Sequence, residues 1–227
     1  MKSTFFLMIA AVLTAGGTSG PSVPSEQLSY SINWPSGLGL GESRLHGGGT
    51  KGSLSFGFEL DAAVPGFTVA DRFTSSASGD FCSTEFDKTI HHGQKHADEK
   101  TTFDLQANIA TRETKGGGQT KMDTAPCAKD ALSYLYFVRR ELSQGRLPQP
   151  ATVYFGAPYQ VRLDFVGTES IRLADKPVQA DHLTGSVKGQ SSDAHFDIYF
   201  LKDAARTPAL VKVPLVTGTT FSMELVQ

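Results

Sequence analysis

The stretch KDALSYLYFVRRELSQG, Lys129 to Gly145, limits most severely what this chain can become. It is the one strong helix signal in a sequence otherwise written in strands and turns. Asp130 is a good N-cap, because its carboxylate can accept from the free backbone N–H groups of a first turn. Gly145 suits the left-handed position after a helix, and Pro148 forbids continuation. The spacing predicts about 14 helical residues, about 21 Å long. Ala131, Leu132, Tyr134, Leu135, Tyr136, Phe137, Val138 and Leu142 leave almost no polar side in the first two turns. A surface helix shows one apolar stripe, so this helix is expected to be enclosed.

The flanking sequence says by what. Leu28, Tyr30, Ile32 and Trp34 alternate with polar residues, the period-2 pattern of a half-buried strand. Strands are expected over 38–45, 53–60, 68–75 and 101–111, with turns at Pro35-Ser36-Gly37, Gly47-Gly48-Gly49, Pro65-Gly66 and Gly93. After the helix, strands are expected over 151–155, 159–166, 169–173, 178–187, 195–201, 209–213 and 219–226. Short strands in regular succession favour a meander, sandwich or barrel over βαβ units. The expected fold is mainly β: a curved antiparallel sheet or open, spiral-like barrel wrapped around one central α-helix. The alternative is a sandwich with the helix plugging one open end.

At the N-terminus, Lys2 precedes an apolar run over residues 5–15, and small residues follow. This is the three-part pattern of a secretory signal peptide. The run is too short for the ~20 residues that span a bilayer. The expected organisation is a signal peptide over 1–19, a short Pro/Ser-rich linker over 20–27 and a single β-rich domain over 28–227. No Cys follows the apolar run to accept a lipid, so the expected location is the periplasm, without a lipoprotein anchor and without a transmembrane segment in the mature chain. A formal charge of −2 gives no basic patch for a nucleic-acid partner. In an exported chain the two cysteines, Cys82 and Cys127, are expected to form a disulfide. A redox-active pair would want close C-x-x-C spacing, which is absent.

Asp130, Ser133, Tyr136 and Arg139 give D-x-x-S-x-x-Y-x-x-R. With "LSYSINWPSGLGLGESRL" from Leu28, "VGTESI" from Val166 and "LKDAARTPALVKV" from Leu201, this resembles the exported bacterial family DUF3108, whose function is undefined. The pieces occur in the expected order over nearly all of the mature chain. The resemblance implies a periplasmic β-rich protein, distantly similar to the LolA and LolB lipoprotein carriers, and it carries over no catalytic residue.

The four motif residues trace a slanting stripe on the helix. In one reading they hold the helix in its sheet, with Glu169 and Asp203 as candidate partners of Arg139. In the other, Tyr136 and Arg139 face a ligand headgroup, with Tyr134 and Phe137 beside them as binding residues.

Catalytic signatures are lacking. His91, His92 and His96 flank the Gly93 turn, but adjacent strand residues point to opposite faces. His92 and His96, helped by Asp98 or Glu99, are the metal-binding alternative. There is no G-x-S-x-G elbow, Glu42, Glu85 and Glu169 are scattered, and Gly116-Gly117-Gly118 lacks the setting of a phosphate cradle. No metal or cofactor is expected. The expected function is a non-enzymatic envelope protein that binds or carries an apolar ligand or lipid-like group. Its cavity would lie on one side of the helix, supplied by Phe56, Phe58, Phe73, Phe103, Phe165, Phe196 and Phe200, with Arg139 or Tyr136 at the mouth. The alternatives are an assembly factor that meets an envelope protein partner through an exposed apolar patch, and a hydrolase with clustered titratable groups in a cleft.

Overall fold

A computed structural model describes residues 22–50, 52–64, 66–190, 192–214 and 220–226. The expected signal peptide lies outside them. The described residues form one 15-stranded sheet around one helix. Its first half runs β1 (Val23–Asn33), β2 (Gly39–Thr50), β3 (Ser53–Val64), β4 (Phe67–Ala77), β5 (Ser83–His92), β6 (Lys95–Asp104), β7 (Ile109–Thr114) and β8 (Gln119–Asp123). The two-residue β9 (Lys129–Asp130) leads into the helix α1 (Ala131–Ser143). The second half runs β10 (Ala151–Tyr154), β11 (Pro158–Leu173), β12 (Lys176–Lys188), β13 (Asp193–Leu201), β14 (Pro208–Pro214) and β15 (Thr220–Val226).

Sequential strands pair antiparallel except at β8 and β9, which do not pair with each other, and β9 runs parallel to β10. The first and last strands pair with each other, which joins the two halves in mid-sheet. The two sheet edges, β8 and β9, are therefore separated in sequence only by residues 124–128. The sheet is curved and not closed. Tyr154 Oη donates to Asp123 O at 3.0 Å across the seam, and Arg112 Nη1 donates to Gly156 O at 2.7 Å. The expected disulfide is present: Cys82 and Cys127 are joined, with Cα atoms 4.5 Å apart. It pins the connection between the edges to the entry of β5, where Ser83 N donates to Ala128 O at 2.8 Å.

The helix is enclosed by both halves. Leu132 and Tyr136 pack with Leu54, Phe56, Phe86 and Phe103 of the first half. Tyr134, Val138 and Leu142 pack with Leu163, Leu183, Ile198 and Phe200 of the second. Each such side chain, fully buried, stabilises the fold by about 1.5–3 kcal/mol. A third, smaller core forms where the far end of the β11–β12 hairpin brings Ile171, Leu173 and Ala180 against Tyr199 and Leu210.

Several elements differ from the sequence reading. Residues from Val23 onward belong to β1 rather than to a linker, and Glu26 makes an ion pair with the helix. Gly47, Gly48 and Gly49 lie inside β2, not in a turn. A Cβ at Gly47 would stand 2.5 Å from Tyr136 Oη and 2.7 Å from Phe56 Cδ1, so the glycine makes room for the helix tyrosine. Where one strand is expected over 101–111, the chain turns between β6 and β7. Asp104 Oδ1 accepts from the amides of Gln106 and Ala107, both at 2.9 Å, and Asn108 takes φ 55°. Both are recognised turn devices. The two strands expected over 159–173 are one, interrupted by a bulge between Phe165 and Gly167. There Phe165, expected inside, is 53% exposed, as bulges re-aim side chains.

Candidate functional site

The helix start is a buried hydrogen-bond cluster. Asp130 Oδ1 accepts from the amides of Leu132 and Ser133 at 2.8 and 3.0 Å, and Oδ2 accepts from the hydroxyls of Ser75 and Ser83, both at 2.6 Å. Burial pushes the Asp130 carboxyl up, and these four donors oppose that. Ser133 Oγ lies 2.7 Å from Ser83 Oγ and donates back to Asp130 O at 3.2 Å. Asp130 and Ser133 thus lock the helix to β4 and β5. The stop is as the sequence predicts: Gly145 has φ 71°, and Arg146 N donates to Glu141 O at 2.9 Å.

Arg139 is buried and paired, but not with Glu169 or Asp203. Nη1 and Nη2 grip the two Glu26 oxygens, the second at 2.9 Å, and Nε donates to Ala205 O at 3.0 Å. Asp203 accepts from Thr207 N at 2.9 Å and Thr207 Oγ1 at 2.7 Å, which shapes the turn that presents Ala205. Glu169 instead pairs with His182 at 2.8 Å. A local pattern on the helix could not reveal Glu26, which lies 113 residues away.

On the opposite flank of the helix is a cavity of about 440 Å³. The helix supplies Ala131, Tyr134, Leu135 and Val138. The second half of the sheet supplies Val153, Tyr159, Val161, Leu163, Val187, Phe196, Ile198 and Phe200, and Phe155 completes the wall. No charged side chain lines it. Burial pushes the Tyr134 hydroxyl up to about 12, so it stays protonated at neutral pH. Of the four expected binding residues, only Tyr134 reaches this cavity. Tyr136 stacks on Phe56 with ring centres 4.1 Å apart, beneath the Arg139 guanidinium at 4.8 Å. Phe137 lies between Lys129 and Arg140, 4.6 and 4.9 Å from its ring centre. Of the seven expected phenylalanines, Phe196 and Phe200 line the cavity, while Phe56, Phe58, Phe73 and Phe103 fill the first core. The missed aliphatic lining was legible in part, since Val161 and Leu163 alternate inward along β11.

Next to Phe155, three charged residues stand on β5, β6 and β7. Lys88 Nζ is 4.9 Å from the Phe155 ring centre and 2.8 Å from Glu99 Oε2, and Arg112 holds Gly156 O. The histidines of the Gly93 hairpin are spread apart. His92 pairs with Asp71 at 2.9 Å, His91 meets His96 edge-on, and Asp98 pairs with Lys115. Among the described residues, no three His, Cys, Asp or Glu side chains stand close enough to hold a metal ion, and no helix is long and apolar enough to cross a membrane.

The fold has a solved counterpart. The crystal structure of a beta-barrel-like protein of the domain of unknown function DUF1849, from Brucella abortus, superposes with a TM-score of 0.66 at 9% identity, covering 90% of this chain and 96% of that one. At that identity the likeness is one of fold alone. No curated protein matches the chain. The family model described as protein of unknown function (DUF3108) matches residues 29–226, the sheet and its central helix together, and the chain belongs to that family.

Proposed function

We propose that this protein is a non-enzymatic binding or carrier module of the cell envelope, exported to the periplasm, that takes an acyl chain or similar apolar group into the cavity beside its helix. The observation that carries the reading is the cavity's size together with its chemistry. About 440 Å³ falls within the usual range of small-ligand sites, and the wall is aliphatic and aromatic, with Tyr134 and Tyr159 among its residues. It is about three times the volume of an apolar cavity of about 150 Å³ that accepts benzene. Protein interiors are otherwise close-packed, with few spaces larger than a water molecule. The apolar run over residues 5–15 supports export. A second reading, an assembly factor acting through its surface, is favoured by adjacent Phe165 and Val166, 53% and 54% exposed.

Native mass spectrometry of protein purified from its own envelope, followed by lipid extraction, is expected to find a bound apolar molecule. A fluorescent fatty-acid probe should bind the emptied protein. Each two methylenes added to a ligand chain should tighten binding by about tenfold until the cavity is full. Ala131→Trp, which fills the cavity from the first turn of the helix, should abolish probe binding while the protein stays folded. A ligand-free protein that ignores the probe overturns the reading in favour of the surface-acting one.

A further inference from the structure

We infer that the cavity's ligand is a single-chain amphiphile with a carboxylate end, and that Lys88 and Arg112 receive that carboxylate; this inference rests on the cavity reading above. The cavity lining itself carries no charge, so within the protein a charged head would be met only by groups just beyond that lining. Phe155 is the part of that wall that borders charged groups. Its ring lies 4.9 Å from Lys88 Nζ, and the next residue, Gly156, is the point on which all three charged side chains converge. Arg112 Nη1 donates to Gly156 O at 2.7 Å. A Cβ at Gly156 would stand 2.7 Å from Lys88 Nζ and would also meet Glu99 Oε2, and Gly156 has φ 77°. A side chain there would displace the charged groups from their place beside Phe155.

The three residues share one face of the sheet. Lys88 is directly opposite Glu99, and Arg112 is opposite Thr101, two positions along from Glu99. Lys88 and Glu99 are largely shielded, with side chains 11% and 16% exposed. Two cations therefore face one carboxylate. Arg112 has no carboxylate partner among the described residues, and its Nε is buried with no hydrogen bond. A shielded guanidinium donor without a partner is a cost that an incoming carboxylate removes, and charge-assisted bonds of this kind are the strong ones.

Displacement of a neutral fluorescent apolar probe by decanoate and by decan-1-ol tests this in the intact protein. The acid should bind at least about tenfold tighter than the alcohol, the scale of one charge-assisted contact. Arg112→Gln should abolish the preference and leave decan-1-ol unaffected, Arg112→Lys should keep most of it, and Glu99→Gln should enlarge it. Each variant's thermal midpoint is followed alongside. Equal binding of acid and alcohol overturns this inference and leaves the cavity reading intact. Loss of both ligands together in Arg112→Gln also overturns it, since Arg112 would then only hold the seam. If neither compound displaces the probe and the cavity stays empty, both readings fall.

Discussion

Arg139 and Glu26, 113 residues apart, form a bidentate ion pair between the helix and the first strand, with Nη2 to Oε2 at 2.9 Å. The guanidinium is 5% exposed and the carboxylate 19%. Removing one member of such a pair strands the other charge. Glu26→Ala and Arg139→Ala should each destabilise the protein by about 3–5 kcal/mol. The double variant should cost less than the sum of the two. Urea unfolding of all four proteins measures the coupling, and strict additivity would count against a working pair.

The Asp130 cluster predicts a second large effect. Loss of an N-cap alone costs about 0.5–2 kcal/mol. Asp130→Ala also strands the buried hydroxyls of Ser75 and Ser83, at about 1–3 kcal/mol for an unsatisfied group. A total near 3 kcal/mol is expected in denaturant titrations. A loss below about 1 kcal/mol would mean that the cap is dispensable.

Gly47→Ala should destabilise by about 1–3 kcal/mol, because its methyl would overlap Tyr136 and Phe56. The same change at Gly52, where a Cβ meets nothing within 4 Å, should be close to neutral. Thermal midpoints compare the two.

The disulfide closes a separation of 45 residues, worth about 4 kcal/mol by loop entropy. Titration of the denatured, unreduced protein should find no thiol. Cys82→Ser/Cys127→Ser should show a lower urea midpoint by a corresponding amount.

His182 should make stability fall as pH rises. Burial of the ring disfavours its charge, but Asp197 and Glu169, each 2.8 Å from a ring nitrogen, outweigh this and hold its pKa above the ordinary value. A raised folded pKa means that the stabilisation is complete below the unfolded value of about 6.5 and is lost as pH rises through the folded one. Urea midpoints taken upward from pH 6 should decline in the parent and decline less in His182→Gln. Parallel profiles would remove His182 as the cause.

The sequence alone determined the features whose signals are local. Asp130 and Gly145 bound the helix because capping needs only neighbouring backbone groups. The apolar girth from Ala131 to Leu142 required enclosure, and the alternation of Tyr30 and Ile32 showed strands with one buried face. The Cys82–Cys127 pairing followed because only two cysteines are present. The tertiary structure decided everything that depends on what lies opposite. Glu26 looks like linker until the helix brings Arg139 to it. Gly47 to Gly49 reads as a turn until Tyr136 fills the space above the first of them. Phe155, Lys88 and Arg112 carry no common motif, yet curvature of the sheet sets them around one seam. Periodicity and caps report on the nearest few residues. Which distant strands meet is set by the curvature of the whole sheet, and the cavity is whatever space that curvature leaves beside the helix.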